Sequence, residues 1–211
     1  MHNFKKTDIL LALIIGEICA WLMWLIARNL AIEVPGIAVA VPYLNYLLVV
    51  FPVLCVFGFI IAGFLSRAIP VIYQIAKFVL VGGLNFLIDM GVLNFLVFYT
   101  GISIGLTQSV FKGISFFVAV INSYFWNKFW TFKRTSAENV GKEFLQFVIV
   151  SVIGFGINLG VDYAVVNMMA PFAGIGAKTW AQIGALVAAV VALFWNFLGY
   201  KFIVFEEKKN D

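Results

Sequence analysis

The chain has 211 residues, of which 64% are hydrophobic and only 11% charged, against about 45–50% and about 25% in soluble domains. So much apolar surface cannot be hidden in a water-soluble core of this size, and long stretches such as Leu44–Leu65 and Val148–Gly156 lack the polar face that a soluble helix needs. The formal net charge of +4 follows from lysines and arginines grouped between apolar runs, which serves membrane orientation and attraction to anionic lipid rather than nucleic-acid binding.

The first apolar run, Ile9–Leu30, follows Lys5 and Lys6 as in a signal peptide. It continues past Glu17 without a small-residue cleavage site, and so reads as a retained transmembrane helix. Further spans are predicted at Tyr43–Leu65, Phe78–Thr100, Thr107–Thr131, Phe144–Met169 and Thr179–Phe205, each near or above the ~20 residues that cross a bilayer. Short turns at Val34-Pro35-Gly36, Gly101–Gly105 and Pro171–Gly176 connect them. The predicted fold is an all-α membrane protein of about six transmembrane helices. Pro52 should kink the second span, and Cys19 and Cys55, both inside apolar runs, read as buried thiols.

Orientation follows from the basic residues. Lys5, Lys6, Arg67, Lys77, Lys128, Lys133, Arg134, Lys142, Lys201, Lys208 and Lys209 fall on one side, against Arg28, Lys112 and Lys178 on the other. Both termini are therefore expected in the cytoplasm.

The last four spans carry an internal repeat. Lys77-Phe78-Val79-Leu80-Val81 matches Gln146-Phe147-Val148-Ile149-Val150, which sets Asp89 opposite Asn158 and Gly91 opposite Gly160. Further on, the ten residues from Ser123 to Phe132 match those from Asn196 to Phe205. The reading is a parallel duplication of a two-helix hairpin, with repeats at 77–134 and 146–208, an arrangement used by membrane transporters. Residues 71–211 then form one four-helix domain, and 1–70 an appended hairpin. Glu17 follows Lys5 at the spacing that separates Asp89 from Lys77, the sole hint of a third copy.

The Lys-Phe-Val-Leu-Val-Gly-Gly opening from Lys77, the mid-helix Asp89 and the Asn127-Lys128-Phe129-Trp130-Thr131-Phe132 close, with their weaker second copy, resemble the GtrA-like family of small polytopic membrane proteins. The chain differs in adding Met1–Pro70 and in carrying Ser123 where that family's Asn is expected. The resemblance implies a part in cell-surface polysaccharide synthesis in a bacterial or archaeal cytoplasmic membrane. The chain would move a polyprenyl-phosphate-linked sugar across the bilayer, or assist or anchor the glycosyltransferase that makes it. It implies no catalytic centre and no cofactor.

Intramembrane polar groups are costly unless paired, and so mark candidate sites. Asp89 and Asn85 share a helix face four residues apart, and Asn158 is the repeat-related counterpart of Asp89, so the three are a candidate polar centre. Lys112 and Asp162 are expected at similar outer depth as an ion pair, either a gate or mutual neutralisation. Lys128 with Asn127 and Trp130, and Lys201 with Tyr200, place a cation beside aromatics at each inner end, suited either to a lipid phosphate or to an ordinary interfacial belt. Glu17 would couple protons or bond to Asn45 or another helix; with Asp89 it supports a third reading, a small proton-coupled exporter. Gly82, Gly83, Gly91, Gly154, Gly156 and Gly160 are expected at close helix contacts. Hydrolase or transferase chemistry is disfavoured, because His2 is the sole histidine and no acid pair, metal-ligand cluster or glycine-rich phosphate loop occurs. A four-helix unit is thin for enclosing a long-chain lipid, which points to a homo-oligomer or to a groove open to the bilayer.

Overall fold

In hydrocarbon every backbone N–H and C=O must find its partner inside the chain, and a helix does this locally. The computed structural model has that form. It describes residues 5–33, 41–134, 139–172, 174 and 176–206, so His2, the Val34-Pro35-Gly36 turn, Lys208 and Lys209 lie outside the described residues. Among the described residues six helices are long and apolar enough to span a membrane: α1 (Lys6–Glu33), α2 (Leu44–Leu65), α3 (Val71–Thr100), α4 (Gly105–Trp126), α5 (Val140–Tyr163) and α6 (Ala177–Gly199). No strand occurs among the described residues.

Helices α4, α5 and α6 each run on into a π-helical turn, at Asn127–Thr131, Ala164–Met168 and Tyr200–Val204. Between α3 and α4 the chain turns on glycines that adopt positive φ, Gly101 (71°) and Gly105 (78°). The Gly101 N–H closes α3 on the carbonyl of Val97 at 2.8 Å, a glycine C-cap.

The chain forms two compact units, Met1–Lys133 and Arg134–Asp211. Within the first unit α1 packs against both α2 and α3. Ala12, Ile15, Cys19, Phe59, Tyr73, Val81, Leu84 and Trp130 make one buried cluster in the first unit, drawing on α1, α2, α3 and the turn after α4. Lipid tails are as apolar as these side chains, so close packing and interhelical hydrogen bonds, rather than expulsion of water, hold the helices together. Trp24 donates to Asn45 across α1 and α2 at 3.1 Å, and Asn29 to Asn94 across α1 and α3 at 2.6 Å. In the second unit α5 pairs with α6.

The glycines divide by role. A Cβ at Gly16 would lie 2.9 Å from Pro52 Cα and 3.1 Å from Cys55 Cβ, so Gly16 sets the approach of α1 to α2 where Pro52 sits inside a continuous helix. Gly91 meets Leu22, Gly154 meets the Asn196 side chain, and Gly199 meets Val150. Gly82, Gly83, Gly156 and Gly160, expected at close helix contacts, have open space where a Cβ would stand. Gly16→Leu should therefore cost about 1–3 kcal/mol or more through overpacking, whereas Gly156→Ala should be neutral or slightly stabilising through helix propensity. Thermal unfolding of the two variants in detergent checks the contrast.

The hairpins α3–α4 and α5–α6 carry matching local devices at the positions aligned in the sequence. Both end in a π-turn, closed by Phe132 N–H on Asn127 O and by Phe205 N–H on Tyr200 O, each at 2.8 Å. Phe78 meets Phe132 with ring centroids 6.4 Å apart, and Phe147 meets Phe205 at 6.1 Å.

Candidate functional site

Asn85 and Asp89 lie one turn apart on α3. On α4, Lys112, Ser115 and Asn122 recur at intervals of three and seven residues, so they also share a face. The antiparallel hairpin turns these two faces together as a ladder of polar rungs. In the upper rung Lys112 pairs with Asp89 Oδ2, while the Ser115 hydroxyl donates to Asp89 Oδ1 at 2.6 Å, with the carbonyl of Lys112 as its other acceptor at 3.0 Å. In the lower rung Asn122 donates its amide to Asn85 Oδ1 at 2.6 Å. Asp89 stands within about one turn, roughly 5 Å, of the midpoint of α3 at 1.5 Å rise per residue. The Lys112 side chain is 49% exposed and that of Asp89 20%, so the charges are paired with each other but open on one side. A charge pair at this depth is costly against hydrocarbon and suits a polar cavity or a polar guest.

Within the first unit, then, Lys112 takes Asp89 as its partner. Depth along the helix alone does not reveal this pairing, because a lysine stem is long and flexible. Asp162 belongs to the second unit, where its carboxylate oxygen lies 3.2 Å from where a Cβ on Gly184 would stand. At matching positions of the second hairpin Asn158 replaces Asp89, and Ala185 and Ala188 replace Lys112 and Ser115, so the charged rung has no counterpart in α5–α6. Asn158 is half-buried. The polar pair in that hairpin is Ser151 with Tyr200, at 2.7 Å, where Tyr200 also stacks on Phe147 at 4.2 Å.

Lys128 is buried, and its Nζ bonds Tyr124 Oη at 3.1 Å while lying over the rings of Tyr124 and Phe129. Lys201 repeats this arrangement over Phe197 and Phe202, at 5.7 and 5.4 Å from their centroids. The rings that each lysine lies over are thus those of the residues four before and one after it. Asn127 is also buried and donates to Ser123 O and Oγ at 2.9 and 3.2 Å.

Trp130 serves a cluster that sequence reasoning missed. Asp8, buried in the first turn of α1, stands 2.8 Å from Lys77 Nζ, accepts the Trp130 indole N–H at 2.9 Å and accepts the Tyr73 hydroxyl at 3.1 Å. Phe59 of α2 closes over it, with ring centroids 4.8 Å from Tyr73 and 6.0 Å from Trp130. Asp8 sits among the lysines that begin the first span and so reads as a helix-end charge. Lys77, a cation on an otherwise apolar stretch of α3, was the signal that a buried acid had to be nearby. Glu17, by contrast, accepts a bond from Trp21 on its own helix at 3.0 Å, and Asn45 is taken by Trp24.

Comparison with known proteins places this geometry in context. Residues 77–205 match the family described as GtrA/DPMS, transmembrane domain. The chain is 29% identical over 142 residues to the uncharacterized membrane protein YngA of Bacillus subtilis strain 168, covering 66% of this chain and 84% of that one. It is also 26% identical over 124 residues to a dolichol-phosphate mannosyltransferase of Pyrococcus furiosus, covering 51% of this chain but only 34% of the enzyme. No solved structure matches.

Proposed function

We propose that this chain, which belongs to the GtrA/DPMS transmembrane-domain family, carries a polyprenyl-phosphate-linked sugar across the cytoplasmic membrane, or assists that step, in cell-surface polysaccharide synthesis. The observation that carries the reading is the half-open Asp89–Lys112–Ser115 rung beside Asn85–Asn122. A sugar phosphate crossing hydrocarbon needs hydrogen-bond donors, acceptors and a cation at mid-membrane, and these side chains supply all three. Asn158 is the repeat-related polar residue of the hairpin α5–α6, and Lys128 and Lys201 would meet phosphate at the inner ends of their own hairpins. Both termini would face the cytoplasm.

A second reading is a membrane partner that presents lipid to a glycosyltransferase without transporting it. The similarity to part of a dolichol-phosphate mannosyltransferase favours this one.

Deletion of the gene in its own host separates the two leading readings. Under transport, the lipid-linked sugar is still made and accumulates on the inner leaflet while surface glycosylation disappears, and Asp89→Ala reproduces the deletion. Under partnership, the lipid-linked sugar itself falls and Asp89→Ala complements the loss.

A further inference from the structure

We propose that Lys77 and Trp130, with Tyr73, form a binding site for the phosphate of a long-chain lipid, and that the Asp8 carboxylate of α1 occupies this site as a tethered competitor. The inference rests on the reading that the chain handles a lipid-linked sugar, and it locates the head group of that lipid.

An ammonium, an indole N–H and a phenol O–H converge on one carboxylate at 2.8, 2.9 and 3.1 Å. That donor set would equally hold a phosphate, whose oxygens accept charge-assisted hydrogen bonds in the same way. Asp8 fills the set incompletely. Lys77 is 2% exposed, and its Nζ, which carries three donor hydrogens, meets one carboxylate oxygen, Asp8 Oδ1, at 2.8 Å. The rings of Tyr73 and Trp130, 5.1 and 5.3 Å away, supply the rest of its surroundings. A phosphate, with several free oxygens, could accept from more of the ammonium, indole and phenol donors at once than the two oxygens of one carboxylate.

The origin of the groups is also informative. Lys77 and Trp130 lie within the residues matched to the family, 77–205, whereas Asp8 comes from the added hairpin. The domain thus carries the cation and the indole donor, and α1 brings an anion to them.

A place for the chain of the lipid adjoins the cluster. A groove of about 350 Å³ opens beside it, lined by Leu11, Asn122, Phe125, Trp126, Phe129 and Trp130. Trp130 is a wall of both sites, and Leu11 lies one turn after Asp8 on α1. Such a volume lies in the range of small-ligand pockets, and its mainly aromatic walls suit an apolar chain entering from the bilayer.

The test uses the full chain in nanodiscs of phosphatidylcholine, titrated with a polyprenyl monophosphate. Asp8→Asn removes the competing charge and keeps an acceptor for Trp130, so it should bind about tenfold more tightly than wild type, the competitor's share of the site being released. Adding Lys77→Gln or Trp130→Phe to Asp8→Asn should abolish the gain. In wild type, whose folding is not in question, the lipid should raise labelling of Asp8 by a hydrophobic carbodiimide, because the carboxylate is displaced. Unchanged affinity in Asp8→Asn together with unchanged Asp8 labelling in wild type, while the lipid still binds, would overturn the inference and leave the transport reading intact. Absence of binding in every variant would overturn both. Inorganic phosphate displacing the lipid at equal concentration would also overturn the proposal, since the groove would then contribute nothing.

Discussion

Asp8→Ala is expected to destabilise the first unit by about 3–5 kcal/mol, the usual penalty for leaving a buried charge without its partner. Three groups lose their acceptor at once: Lys77 Nζ, the Trp130 indole and the Tyr73 hydroxyl. All three belong to buried residues, so water cannot readily replace the carboxylate. Asp8→Ala/Lys77→Met should recover most of the loss, because the methionine thioether fills much of the lysine stem's volume without its charge. The residual deficit reports the two neutral donors, about 1–3 kcal/mol each when left unsatisfied. Unfolding of the four proteins in detergent, arranged as a double-mutant cycle, gives the coupling directly. A coupling near zero would mean that Asp8 and Lys77 do not pair in the folded chain.

The second large effect falls on the rung between α3 and α4. Lys112→Met strands the Asp89 charge at mid-membrane, and Asp89→Ala strands Lys112, so each single change should reduce both stability and lipid transport. The double change Asp89→Asn/Lys112→Met removes both charges and should restore stability to near wild type, since Ser115 can still bond the amide. It should not restore transport, because the cation and the anion are then both gone. This split between stability and activity is what sets a working pair apart from packing alone, and expression level together with transport in the same membranes measures it.

Much of the fold was legible in the sequence because the membrane enforces it. Six apolar runs of spanning length were enough to specify six helices. The ends were less legible. Helix α3 was expected from Phe78 and begins at Val71, because a helix continues through Tyr73, Gln74 and Lys77 wherever neighbouring helices can satisfy their polar tips. That turn of helix carries two of the four residues of the Asp8 cluster, and its omission hid the cluster.

The candidate residues were legible individually and their partners were not. Asp89, Asn85 and Lys112 stand out as polar groups inside apolar runs. Whether Lys112 reaches Asp89 or Asp162, however, depends on the rotation of α4 and on the length of its side chain, neither of which is written in a hydropathy pattern. Spacing likewise marked Gly156 and Gly160 as a packing motif, while both have open space where a Cβ would stand, and Gly16, which belonged to no motif, is the one that meets the backbone of a neighbouring helix, at Pro52.

Reconstitution tests the central claim most directly. Purified chain is placed in liposomes containing a fluorescent polyprenyl-phosphate sugar, and dithionite or a membrane-impermeant lectin scores the fraction exposed on each leaflet over time. Wild type should equilibrate the lipid between leaflets far faster than empty liposomes, and Asp89→Asn/Lys112→Met, although folded, should not. Equal rates with and without protein, or full transport by that double variant, would contradict the account.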